Sequence, residues 1–330
     1  MALYRAALGA MVLCGVLSSR THADPGDFID VFVSPGSGGL EMPNALTFGP
    51  DGNLYVAGPQ TPWVGPWNVV RYDGVTGEFI DVFTSGSDLA VPRGLTFGTD
   101  GNLYVTNYNQ VKRYNGVTGV FIDMFVAHDT LADAWHLAFG PDGNLYVASY
   151  GQDLVARFDG TTGEFMDVFA SGEELSGPVG LTFGPDGNLY VSSAGGKILR
   201  YDGDSGAFID VFASGGNVLI GLRFGPCGDL YVCDFWGKVF LYDGTTGEFI
   251  RTFVSSGLDG PTDLTFGPDG NLYVADDIAG WGALDVVLRY EGPDPTCGIP
   301  TVSAWGALSM TLLLLTAGTI VIARRQRLLV

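Results

Sequence analysis

Residues 48 to 56 read FGPDGNLYV, and this segment decides the fold because it returns five more times along the chain. The copies begin at Phe97, Phe139, Phe183, Phe224 and Phe266, at intervals of 49, 42, 44, 41 and 42 residues. Repetition at this period is typical of propellers and solenoids. Each repeat also supplies four strand-sized runs, such as LTFG, NLYVAG, NVVRYDG and EFIDVF, which is the content of one four-stranded propeller blade.

Tight turns join these runs, with Pro50-Asp51-Gly52 between the first two and Asp73-Gly74 between the last two. Glycine supplies the positive φ that such hairpins need. An aspartate recurs in the first turn, at positions 51, 100, 142, 186 and 269. It could be a calcium ligand, but its recurrence in one tight turn favours a side chain that bonds its own backbone.

The outermost strand predicts how the repeats close. Its first copy, DFIDVF from Asp27, precedes every other strand, whereas the sixth set of inner strands, ending at Gly292, has no outer strand after it. Residues 27 to 33 should therefore complete the sixth blade and remove the exposed edges of an open array. The sequence predicts an all-β, six-bladed propeller over residues 24 to 292.

The repeats resemble NHL-repeat propellers and the related group that includes gluconolactonase-like and streptogramin-lyase-like proteins, over residues 27 to 292. This resemblance implies the six-bladed architecture. It is weak for function, since propellers of this group include scaffolds, carbohydrate or protein binders, and metal-dependent enzymes.

The two ends of the chain predict export and membrane attachment. Residues 1 to 23 have the pattern of a signal peptide, with Arg5, an apolar run and a small-residue site ending at Ala23. Residues 304 to 323 are uncharged and long enough to form a transmembrane helix, and the basic tail 324 to 330 should stay in the cytoplasm. We therefore expect a protein of the cell envelope or cell surface.

The linker 293 to 303 contains a sorting motif. Ile299, Pro300, Thr301 and Val302, with Trp305 and Gly306, resemble the bacterial C-terminal sorting signals typified by IPTL...WG, with Val302 in place of leucine. The resemblance implies a dedicated sorting protease as a partner. The tail is then either cleaved, which releases the protein, or retained as an anchor.

Charge excludes one class of partner. Neither terminal segment contains Asp or Glu, so residues 24 to 303 hold 36 acidic and 11 basic groups, a net charge of 11 − 36 = −25. Such a surface repels phosphate backbones, and we expect no nucleic-acid binding. A neutral or cationic partner is easier to accommodate.

The face of the propeller with variable loops is the expected place for function. Aligning the repeats puts two sets of residues around the central opening, one before each inner strand and one after each second strand. Those of metal-ligand type are His136, Asn107, Asp234, Asp263 and Asp276. Oxygen ligands would imply Ca²⁺ or Mg²⁺, as in gluconolactonase-like relatives, but the small residues at most other positions favour a plain funnel.

His136 is the candidate catalytic residue, either as a general base in lactonase-like or lytic chemistry or as a packed side chain beside Trp135. A serine hydrolase is disfavoured because no serine lies in a GxSxG segment.

Long loops in blades one and six predict a second site. Blade numbering follows the repeats, and closure makes these two blades neighbours. Their rim should carry Trp63, Trp67 and Trp281 with Asp277 and Asp285. Exposed aromatic groups beside acidic ones suit a sugar, a peptide or a cation, although the tryptophans could instead pack on each other.

Cysteine positions predict one disulfide. Cys227 replaces the turn aspartate of blade five, and Cys297 follows the last strand of blade six, so both should lie on the tight-turn face. Cys233 is a full strand away from Cys227 and cannot reach it. The alternatives are a Cys227 to Cys297 bond, which an oxidising exterior permits, or three free thiols.

From the sequence, the protein is predicted to be an exported, surface-tethered propeller that binds a protein, glycan or cation. The alternative is a divalent-metal-dependent hydrolase or lyase working at the central funnel.

Overall fold

The chain folds into six antiparallel sheets of four strands each. The computed structural model describes residues 24 to 59, 66 to 85, 89 to 172, 174 to 277, 285 to 294, and 297. Consecutive strands pair within five of the sheets, and the sixth contains three consecutive strands and one from the start of the described chain. The inner strand of each sheet contacts the inner strand of the next, with the sixth contacting the first. The all-β, six-bladed propeller that the repeats predict is confirmed.

The strands of the first half are short and regularly spaced. The strand β1 (Phe28–Val33) opens the described chain. Blade one contains β2 (Ala45–Phe48), β3 (Leu54–Pro59), β4 (Trp67–Tyr72) and β5 (Phe79–Ser85). Blade two contains β6 (Leu95–Phe97), β7 (Leu103–Asn107), β8 (Gln110–Tyr114) and β9 (Phe121–Ala127). Blade three contains β10 (Ala134–Phe139), β11 (Leu145–Ser149), β12 (Leu154–Phe158) and β13 (Phe165–Ser171).

The second half repeats this order. Blade four contains β14 (Pro178–Phe183), β15 (Leu189–Ser193), β16 (Lys197–Tyr201) and β17 (Phe208–Ser214). Blade five contains β18 (Leu219–Phe224), β19 (Leu230–Asp234), β20 (Lys238–Tyr242) and β21 (Phe249–Val254). Blade six contains β22 (Pro261–Phe266), β23 (Leu272–Asp276) and β24 (Val286–Tyr290). Two short 3₁₀ helices lie at Ser37–Gly39 and Tyr150–Gln152.

The fourth strand of blade six comes from the N-terminal end of the described chain. β1 pairs antiparallel with β24, with Phe28 opposite Tyr290 and Val31 opposite Leu288. The last sheet therefore joins the two ends of the propeller, and its outer strand is the segment that the order of repeats assigns to it.

A buried tyrosine explains why the repeated segment holds neighbouring blades together. Tyr55 is fully buried, and its ring packs edge-on against Phe83 of its own blade and Phe97 of the next, at centroid distances of 4.8 and 4.9 Å. Edge-to-face aromatic pairs add about 0.5–1.5 kcal/mol each beyond the area that they bury. The same trio recurs in all six blades. The tyrosine of each repeat thus packs against the first phenylalanine of the next repeat, at the interface between the two blades.

The turn aspartate plays the predicted structural role. In blade one, the Asp51 carboxylate accepts hydrogen bonds from its own turn, at Asn53 N, and from the Tyr55 hydroxyl, at 3.1 and 3.0 Å. Nearby, Arg71 on the third strand donates two hydrogen bonds to Asp81 on the fourth. The prediction that this aspartate bonds its own backbone is confirmed in the five blades that carry it.

Blade five keeps the tyrosine, as Tyr231, but departs from this pattern at three other positions of the network. Cys227 stands in place of the turn aspartate, Leu241 in place of the arginine, and Arg251 in place of its carboxylate partner. The Arg251 guanidinium donates instead to the carbonyl oxygen of Pro25 at 2.9 Å. Cys227 forms a disulfide with Cys297, with the two Cα atoms 5.2 Å apart. Both ends of the described chain are therefore fastened at blade five.

Removing this disulfide should destabilise the propeller. The bond closes a segment of 70 residues, and disulfides over long segments contribute about 2–4 kcal/mol to the free energy of unfolding. We expect a loss of about that size in urea denaturation for the Cys227→Ser, Cys297→Ser double variant, and for the wild type in reductant. Labelling of Cys227 and Cys297, in addition to the free Cys233, in denatured and unreduced protein would contradict the bond.

The predicted signal peptide, most of the sorting linker, the transmembrane helix and the basic tail lie outside the described residues. Among the residues that the structure does describe, no helix has the length and hydropathy to cross a membrane.

Candidate functional site

His136 and Asp263 meet at the central opening, from the inner strands of blades three and six. The His136 Nε2 and Asp263 Oδ1 atoms lie 3.9 Å apart, and both side chains are buried. The Asp263 carboxylate also accepts hydrogen bonds from the backbone amides of Leu46 and Leu264, at 3.1 and 2.9 Å. Asp263 thus ties blade six to blade one in addition to facing the histidine.

Burial keeps the His136 imidazole neutral. Desolvation lowers the pKa of His136 and the nearby Arg223 lowers it further, while Asp263 opposes them. A neutral imidazole can accept a proton, so the pair retains the chemistry of a general base.

The glycines around the opening have a packing role. A Cβ atom on Gly94 would lie 2.7 Å from the Trp135 carbonyl oxygen, and one on Gly180 would lie 2.2 Å from that of Ile220. A Cβ on Gly221 would lie 2.7 Å from the Asp263 Cα atom. The absence of side chains at these positions lets adjacent inner strands approach closely.

The side chains at the ends of the second strands hold loops in place. In five blades, this side chain accepts a hydrogen bond from a backbone amide of the loop 17 residues earlier. The pairs are Asn107 with Ala90, Ser149 with Ala132, Ser193 with Ser176, Asp234 with Asn217, and Asp276 with Asp259. Sequence alignment placed these residues at equivalent positions but did not identify their common partner.

Backbone amides contact the carboxylate oxygens of the predicted metal ligands. Both oxygens of Asp276 accept hydrogen bonds from backbone amides of the preceding loop. Both oxygens of Asp263 accept hydrogen bonds from the amides of Leu46 and Leu264. The Oδ1 atom of Asp234 accepts two more. Within the described part of the chain, no three His, Cys, Asp or Glu side chains are grouped to hold a metal. Carboxylates of metal-ligand type are present, and their oxygens accept hydrogen bonds from backbone amides.

The predicted rim of blades six and one is described only in part. Trp63 and Trp281 lie outside the described residues. Trp67 packs against the hydrophobic cluster between blades one and two, which is the side of blade one away from blade six. The ladder of β23 and β24 ends with Asp276 opposite Val286. Asp277 and Asp285 therefore lie just beyond the ladder, at the two ends of the connection between these strands.

Asp277 is an unusual carboxyl group. It is 6% exposed, and its Oδ1 atom has no hydrogen-bond partner among the described residues. Burial, together with the charges of Asp285 and Asp276, raises its pKa to about 7. Burial also raises the pKa of Asp276 to about 6, against the lowering effect of the Gly260 and Asp259 amides. Two carboxyl groups at this rim therefore titrate close to neutral pH.

A family model matches part of the chain. Residues 167–201 match the family model described as Strictosidine synthase-like, N-terminal, over β14 to β16 and the preceding outer strand. The match and the six sheets fit a propeller of this type. No curated protein matches the chain.

Sequence analysis missed a cluster on the variable face of this propeller, formed by Arg93, Tyr108, Trp135 and Tyr150, which we call the aromatic platform. The Arg93 Cζ atom lies 4.2 Å from the centroid of the Trp135 ring. The Trp135 and Tyr150 ring centroids are 5.7 Å apart at an interplanar angle of 32°. Tyr108 and Tyr150 are both exposed, at 55% and 39%.

The repeat alignment contains the signal that identifies this platform. Arg93 and Trp135 occupy corresponding positions in blades two and three, one residue before those aligned around the opening. Tyr108 and Tyr150 also correspond, one residue after the second strands end. Shifting each alignment by one residue would have placed the four side chains together.

Proposed function

We propose that the protein is an exported binding propeller, tethered at the cell envelope, that holds a protein, glycan or cation on its variable face and catalyses no reaction. One observation carries the proposal. The carboxylates and amides of catalytic type around the opening are engaged by backbone amides in a pattern that repeats from blade to blade. A repeated structural role accounts for these residue types without a reaction.

Export and tethering rest on the sequence of the two ends. The predicted signal peptide directs residues 24 onward out of the cytoplasm, and the predicted transmembrane helix at 304 to 323 holds them at the membrane until the sorting protease acts. The disulfide supports this location, because structural disulfides persist in oxidising compartments.

The proposal is tested by calorimetric titration of the full chain with CaCl₂ and MgCl₂. Because the carboxylates at the opening already accept amide hydrogen bonds, we expect the Asp234→Asn, Asp263→Asn double variant to leave the binding isotherm unchanged. The exposed Asp204→Asn variant serves as the matched control. Tight binding that the double variant abolishes would place a metal at the opening and favour the enzyme instead. Binding lost instead in Asp277→Asn would make a cation the partner at the rim.

The alternative is a hydrolase or lyase at the central opening, metal-dependent in the form that the sequence predicts. The buried pair of His136 and Asp263 favours it, since a neutral imidazole beside a carboxylate is a common general base. A screen of lactones and glycosides separates the two functions. Turnover by the wild type that is lost in His136→Ala would establish the enzyme.

A further inference from the structure

The strongest unassigned feature is the aromatic platform on blades two and three. Its tyrosines belong to connections between second and third strands, and Arg93 and Trp135 precede or begin inner strands, so all four share the variable face. Exposed aromatic groups grouped around one arginine are unusual on this strongly acidic chain. Tyrosine, tryptophan and arginine are also the residue types that dominate binding energies at recognition sites.

Arg93 differs from the repeated arginines in the contacts that its side chain makes. Five other arginines, one on the third strand of each blade except blade five, donate two hydrogen bonds to an outer-strand aspartate. Arg93 instead stacks on Trp135, and its side chain is 28% exposed. Its Nε atom lies 3.3 Å from Asp133 Oδ1 but without hydrogen-bond geometry, and its Nη atoms donate to none of the described residues.

The loops that carry the platform are strained. Six non-glycine residues of the described chain have φ in the left-handed region, and four of them lie in these loops. They are Val91 at 50°, Tyr108 at 58°, Asp133 at 50° and Asp153 at 53°. Such a conformation is a genuine outlier for valine, and strained residues concentrate at binding and catalytic sites. Such conformations persist only where the surrounding structure imposes them, so contacts around these loops hold them in place.

The charges and ring faces select the class of ligand. Arg93 and Asp133 together carry no net charge, and the surrounding chain carries a net charge of −25 between residues 24 and 303, which disfavours anions. The negative faces of exposed aromatic rings attract the weakly positive C–H face of a sugar ring. The Nη donors of Arg93 suit hydroxyl groups, which accept hydrogen bonds. The Asp133 carboxylate is engaged inside the platform, because its buried Oδ1 atom faces Arg93 Nε and its Oδ2 atom accepts a hydrogen bond from Trp135 Nε1.

We propose that the aromatic platform binds a neutral glycan, with a pyranose ring against Tyr150 and Tyr108 and its hydroxyl groups on Arg93. This inference deepens the proposed binding function and rests on it, because it assigns that function a ligand and a place on the variable face. A peptide could use the same aromatic groups and the same donors, and the test below separates it from a glycan.

The test measures binding of the purified full chain to immobilised hexasaccharides of glucose, mannose and galactose, with galacturonate hexasaccharide as the acidic arm. We expect binding to at least one neutral hexasaccharide. The Tyr150→Ala and Arg93→Lys variants should each weaken it by about tenfold or more, since both residue types are typical hot spots. Tyr150→Phe keeps the ring and should retain binding within about threefold, because the lost hydroxyl contributes at most one hydrogen bond.

The matched control is Trp236→Ala, which removes a 63% exposed aromatic group from the variable face of blade five and should leave binding unchanged. Equal melting temperatures exclude misfolding of the variants. Neutral-glycan binding that Tyr150→Ala and Arg93→Lys spare would overturn the site while leaving the binding function standing. Binding to galacturonate alone, or to a peptide library but no glycan, would overturn the ligand class. Absence of any ligand on the variable face would overturn both proposals.

Discussion

Replacing Asp263 with alanine should destabilise the propeller. The substitution leaves the buried amides of Leu46 and Leu264 without their acceptor and removes a link between blades six and one. Lost hydrogen bonds to carboxylates and unsatisfied buried donors cost about 1.5–3 kcal/mol each. We expect a decrease of about 3 kcal/mol in the free energy of unfolding, measured by urea denaturation at pH 7.

Two further variants give this prediction its control. Asp263→Asn keeps the size of the side chain and one acceptor oxygen, so it should cost about half as much. The Asp204→Ala variant, at an exposed turn, should change stability by less than about 0.5 kcal/mol. A loss for Asp263→Ala no larger than that of Asp204→Ala would show that the amide hydrogen bonds contribute little.

The Asp277→Asn variant should be more stable than the wild type, but only at neutral and alkaline pH. The pKa of Asp277 rises from 3.8 to about 7 on folding, so the folded chain holds this proton more tightly than the unfolded chain does. The contribution of Asp277 to wild-type stability should therefore fall as pH rises from about 4 to about 7, and the full cost of its buried charge is present above that range.

Urea denaturation at two pH values measures the effect. At pH 8 we expect the variant to gain about 2–4 kcal/mol over the wild type, since each tenfold increase in proton affinity on folding corresponds to about 1.4 kcal/mol. Near pH 4 the wild-type carboxyl group is protonated in the folded chain, and the gain should nearly vanish. An equal difference at both pH values would contradict a raised pKa and point to packing instead.

The sequence predicted the architecture because the same contacts recur in every blade. Tyr55 packs between Phe83 and Phe97, and the spacing of these residues along the repeat follows from that packing. The strand that precedes all others could be assigned to blade six by order alone, without knowledge of any contact. A repeated pattern supports the strand assignment because the same strand would have to be misassigned in all six copies.

The site was harder to predict because residue type does not reveal which partner takes a hydrogen bond. Asp234 and Asp276 have the chemistry of calcium ligands, yet each accepts amides from a loop 17 residues earlier. Trp67 was assigned to the rim by its position in a long loop, whereas its packing depends on the face of β4 from which it projects. Both outcomes depend on backbone geometry that the repeat alignment does not contain.

The fastening of both chain ends at blade five has a mechanical consequence. A force applied to the chain beyond Cys297 would pass through the disulfide into the Cys227 turn before it reached the ladder between β24 and β1. That ladder would otherwise be peeled apart from its end, one hydrogen bond at a time. The covalent bond transfers the force to a blade whose four strands are consecutive in the chain, so the joint between the first and last strands is protected from being peeled apart.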